Sequence, residues 1–181
     1  MFSALIGKKK IREGGLAKAL VSGSLQAGEK CFHEMVQYLE ECPHFDRQPN
    51  LSLGLEGRFH LAILTCNLAL IPKHLPGGQD KRVAQEILHE VSDACNIELQ
   101  ELGQLVKACK SKMKRLNHPS KILLKGVPKV IFDDFGLNPY QQAYFKDMNA
   151  PNPLILKDMT DMVEPLIWDW NMIKEHFKLA P

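Results

Sequence analysis

The amino-acid sequence predicts an all-α fold: a single-domain helical bundle of four to six helices with a less regular C-terminal third. Three observations carry that reading. Leu88, Val91, Cys95, Leu99, Leu102, Val106, Cys109, Met113 and Leu116 recur at steps of three and four, the period of a helix that buries one stripe. The segment from Arg58 to Ile71 is apolar on nearly every side and longer than a strand usually runs. Between the periodic segments lie clusters of Pro, Gly, Asn and Ser that mark connections.

The elements follow in order. Leu16 to Glu41 has an amphipathic pattern through Leu20, Val21, Leu25, Phe32, Met35, Val36 and Leu39, with Gly23 and Gly28 placing a break near its middle and Pro43 ending it. A polar loop over 46–57 leads into Arg58–Ile71, read as the central buried helix and stopped by Pro72. After the turn at Leu75-Pro76-Gly77-Gly78, Asp80 opens a long helix to about Leu116, with Gly103 as the point where it splits. Lys129–Phe132 suits a short strand or a helix start, and residues 140–148 suit a short helix. A closing helix spans Thr160–Lys178, its regular part starting near Pro165. Residues 1–12 are read as a flexible or membrane-proximal N-terminus and 119–160 as an irregular connection.

Composition bounds the function. With 45% apolar and 24% charged residues the chain has an ordinary globular make-up. A net charge of +2 supplies no field that implies nucleic acid, so nucleic acid is not an expected partner. The five cysteines form no C-x-x-C pair and fall largely within apolar patterns, which suits a reducing, cytoplasmic setting and neither a disulfide scaffold nor a structural zinc site. The longest apolar-rich run is too short to span a bilayer. Phe2, Leu5 and Ile6 beside Lys8, Lys9 and Lys10 form a candidate peripheral membrane contact, at the inner face of a membrane, with Phe2 and the three lysines as its contact residues. A second basic cluster, Lys107 to Arg115, reads as a solvated helix face.

A search for chemistry yields no catalytic constellation and no cofactor motif. His33-Glu34 and His89-Glu90 do not continue to the second histidine of a zinc-protease motif, since Gln37 and Asp93 stand there. Asp134-Phe135-Gly136 lacks every companion motif of a kinase. Glu86 and His89, three apart on one helix face, can both reach one ion and make a candidate metal pair, the basis of an alternative reading as a metal-dependent helical-bundle enzyme. His60 stands in the central apolar segment and is read as a satisfied histidine of the core or its margin. Trp168 stands off the face that carries Trp170 and is a candidate partner contact, with Arg58 and Phe59.

One stretch carries a family likeness. Gly57-Arg58-Phe59-His60-Leu61 and its apolar continuation, Ala84-Gln85 in the next helix, and Glu98-Leu99-Gln100-Glu101-Leu102-Gly103 together resemble the core of the ubiquinol–cytochrome c chaperone family over residues 55–105. The short apolar N-terminus followed by lysines is similar as well. The resemblance implies an all-helical assembly factor for a respiratory membrane complex, one that binds a partner protein near the membrane and has no active site. The leading expectation is therefore a non-enzymatic helical interaction module with a protein partner. A homo-oligomer is left open by the long stripe from Leu88 to Leu116.

Overall fold

Apolar periodicity lays down four long helices in chain order: α1 (Glu13–Glu41), α2 (Glu56–His74), α3 (Gln79–Cys95) and α4 (Leu99–Asn117). The computed structural model describes residues 8–180. Four shorter helices follow: α5 (Gly126–Asp134), α6 (Ala143–Asp147), α7 (Pro153–Val163) and α8 (Trp170–His176). Helix α1 packs mainly on α3, α2 on α4 and α5, and α5 in turn on α4 and α7. The all-α bundle expected from the sequence is the observed architecture. No helix among the described residues is long and apolar enough to cross a membrane.

The apolar side chains gather in two cores. The first joins the C-terminal half of α1 (Phe32, Met35, Leu39) to Phe59 and Cys66 of α2, Val130 and Ile131 of α5, and Ile155, Met159 and Val163 of α7. The second joins Leu16, Ala17 and Val21 of α1 to Ile71 of α2, Val83, Ile87 and Val91 of α3, and Trp170 and Ile173 of α8. A polar clamp sets α1 against α3 at the second core. Arg82 donates to both carboxylate oxygens of the buried Glu13, at 2.8 and 2.9 Å, and Gln79 donates at 3.2 Å. The Arg82 guanidinium holds the Glu13 carboxyl below the usual carboxylate range.

Several expectations need correction. Helix α1 runs unbroken through Gly23 and Gly28. A Cβ at residue 28 would collide with the His60 ring, so this glycine serves close helix packing and not a break. Pro72 lies inside the last turn of α2, which runs on to His74. The long helix divides at Asn96, well before Gly103. Asn96 adopts the left-handed conformation (φ 52°), and Ser92 closes the turn by donating its hydroxyl to the Ile97 carbonyl at 2.6 Å. Lys129–Phe132 is helical, within α5. The closing helix is two helices, α7 and α8, because Pro165 falls in a 3₁₀ turn that ends the first, and Asp169 caps the second.

The stretch 119–160 is also more ordered than expected. It contains α5, whose Val127, Val130, Ile131 and Phe132 are buried, and the start of α7, capped by Asn152. Buried Gln141 organises the loop between them: its amide nitrogen donates to Asn138 Oδ1 and the Ala150 carbonyl, and its oxygen accepts from the Asn152 amide. The first and last described segments form a ribbon that the helical patterns give no hint of. Strand β1 (Lys9–Arg12) pairs in parallel with β2 (Phe177–Ala180), with Lys9 opposite Phe177 and Arg12 opposite Ala180.

Candidate functional site

Between the two cores the packing opens. The middle of α1 (Val21, Ser24, Leu25), the first half of α2 (Arg58, His60, Leu61, Leu64) and the α3–α4 junction (Cys95, Ile97, Leu102, Leu105) surround a cleft of about 410 Å³, with Trp168 on one wall. That volume lies in the range of sites that hold a small molecule or a few anchoring side chains. The lining is overwhelmingly apolar. Leu105 at the lip is exposed, as is Leu53, next in the chain to the lining Gly54.

The walls are held by polar contacts. Asn67 on α2 is fully buried. Its amide nitrogen donates to the Leu166 carbonyl at 3.0 Å, and its oxygen accepts from the Trp168 backbone amide at 2.9 Å. The Trp168 indole N–H then donates to Ser24 Oγ on α1 at 2.8 Å, and the ring meets Trp170 edge-on at 6.2 Å. Arg58, in the first turn of α2, reaches the C-terminal end of α5 and donates to the Asp134 carbonyl at 3.1 Å. His60 is half-buried, its ring seated against Gly28 and its Nε2 3.5 Å from a Glu56 carboxylate oxygen. Ser24, Arg58 and His60 are thus each engaged within the fold. The arrangement can hold an apolar group and orient it, which is binding chemistry.

The residues singled out from sequence divide sharply. Arg58 and Trp168, far apart in the chain, line the same cleft. Phe59 does not join them: it is 0% exposed, packed on Phe32 in the first core, and offers no surface to a partner. Glu86 and His89 are exposed on α3. Among the described residues no three His, Cys, Asp or Glu side chains come together in a metal-holding group, so this pair gains no third ligand. Lys8, Lys9 and Lys10 are exposed, whereas Phe2 lies outside the described residues, with Leu5 and Ile6. In the second basic cluster Lys112 is turned inward to Asp133 and Asp134 of α5, and its neighbours Lys110 and Lys114 are exposed.

Sequence reasoning missed Asn67 and Ser24, the two groups that fix Trp168. A lone asparagine among buried apolar positions is the one signal that was present, since such a side chain must find backbone partners. The cysteines are all free thiols, four of them buried. Burial pushes Cys31 and Cys66 up to about 11, so both are protonated thiols that pack as apolar groups. Cys95, on the rim of the cleft, is the exposed one.

Searches against protein-family models, curated proteins and solved structures found no match to this chain.

Proposed function

We propose that the chain is a non-enzymatic interaction module that holds apolar side chains of a protein partner in the cleft between α1, α2 and the α3–α4 junction. One observation carries this reading: Arg58 and Trp168, residue types that dominate binding energy at protein interfaces, line a single open apolar cleft. The exposed Leu105 and Leu53 extend the apolar surface at its mouth, as a groove for one face of an amphipathic helix requires. Such a module suits an assembly factor or chaperone. The likeness of residues 55–105 to ubiquinol–cytochrome c chaperones implies the same role at a respiratory membrane complex, and Gly57-Arg58, which opens that likeness, stands on the cleft wall.

The test is a photo-crosslinking amino acid placed at Leu105 in the full chain, with Met148, exposed beside α6, as the control position. The expected product is one identifiable polypeptide at residue 105 and none at 148, lost when Arg58→Ala and Trp168→Ala are combined. Equal capture from both positions, capture that survives the double substitution, or a product made only of a second copy of this chain would each refute the reading.

A further inference from the structure

The parallel ribbon sorts its side chains by parity. Successive residues of a strand point to opposite faces, and partners in a parallel pair share a face. Lys9, Ile11, Phe177 and Leu179 belong to one face; the last three pack against the second core, while Lys9, at the start of β1, stays exposed. Lys10 and Arg12 of β1 and Lys178 of β2 belong to the other, and Lys8 continues their parity one residue before the strand. All four are exposed. The register sets Lys10 directly beside Lys178, and like charges placed opposite one another are a cost to the sheet. None of the four makes an ion pair among the described residues. The nearest buried acid, Glu13, is already committed to Arg82.

We propose that this face of the ribbon docks the protein on an anionic phospholipid bilayer, with Lys8, Lys10, Arg12 and Lys178 set against the headgroups. A flat array of cations, with one strand about 4.8 Å from the next and same-face residues about 7 Å apart along a strand, complements a plane of phosphate and carboxylate groups. A face for single-stranded nucleic acid would call for aromatic stacking groups among the cations, and this face has none. The proposal is independent of the cleft, which lies further along α1.

Co-sedimentation of the full chain with phosphatidylcholine vesicles, with and without about one-third phosphatidylserine, tests it. Binding is expected only to the anionic vesicles and is expected to weaken as salt rises. At roughly fivefold in affinity per cation, Lys10→Gln with Lys178→Gln lowers partitioning roughly 30-fold. Lys110→Gln with Lys114→Gln removes the same charge from α4 and lowers it less than about threefold, because these lysines stand off the ribbon. Lys10→Arg with Lys178→Arg preserves the binding and guards against a folding artefact. Absence of binding to anionic vesicles, equal losses from the two glutamine pairs, loss in the arginine pair, or tighter binding of a single-stranded oligonucleotide that competes with the vesicles would overturn it.

Discussion

The C-terminal half of α1 and its middle meet different fates although their apolar periodicity is the same. In the C-terminal half, Phe32, Met35 and Leu39 are sealed by α2, α5 and α7. In the middle, Val21 and Leu25 look into the cleft, whose other walls are α2, the α3–α4 junction and Trp168. A stripe of apolar residues therefore states which face turns inward. It does not state whether the chain itself fills the space, and here one length of the stripe is left for something else to fill. The largest expected contrast is in truncation. Phe32→Ala removes a fully buried ring and should cost about 3–5 kcal/mol in urea unfolding, whereas Leu105→Ala at the cleft lip should cost under ~0.5 kcal/mol. Similar costs at the two positions would erase the distinction between filled core and open cleft.

Asn67 sits where the two regions join and sharpens the comparison. Asn67→Leu leaves the Leu166 carbonyl and the Trp168 amide without partners inside a buried region, and each orphaned group costs about 1–3 kcal/mol. A loss of about 2–4 kcal/mol in unfolding free energy is expected from urea titration. It should come with a red shift in tryptophan fluorescence as Trp168 leaves Ser24. Destabilisation without that shift would mean that Asn67 supports the core and not the cleft wall. Gly28→Ala is a third probe. The added methyl meets the His60 ring, so the cleft-lining imidazole must move or α1 and α2 must part. A stability loss of about 1–3 kcal/mol is expected, with the His60 ring resonances displaced in NMR spectra.

The long helices were legible because burying one face imposes a three- and four-residue period that no loop mimics. Their breaks were less so. Gly23, Gly28 and Gly103 looked like weak points on propensity alone, yet Gly28 exists for the approach of His60, and the actual break falls at Asn96, whose left-handed conformation is a property of one residue and not of a pattern. Pro165 suits a helix start by its fixed φ, yet it stands in the turn after a helix end. The order of 119–160 escaped notice because it depends on Gln141 meeting Asn138, Ala150 and Asn152, contacts with no periodic signature. At the site, Arg58 and Trp168 were identifiable as residue types but not as neighbours. Phe59, adjacent to Arg58 in the chain, points the other way by helix geometry. The ribbon pairs the two ends of the described chain over strands of four residues, too short to show alternation.

The smallest expected effect is a pH dependence confined to the second core. His74, in the last turn of α2, stacks on Trp170 with ring centres 5.8 Å apart and planes inclined by 12°. Burial, aided by the charges of Lys174 and Lys73, holds its imidazole below the usual histidine range. The fold therefore favours the neutral ring, and the unfolded chain takes up the proton first. Stability contributed here is complete above about pH 6.5 and declines as pH falls below it, until the folded-state value is passed. Glu13 has the same sense of loss but a lower window, since its depressed carboxyl titrates only beneath the ordinary carboxylate range. Urea midpoints between about pH 7 and pH 5.5 thus isolate the histidine. His74→Phe, which keeps the stack and removes the proton site, should flatten the decline in that interval, and an undiminished slope would show that the stacked pair has no part in it.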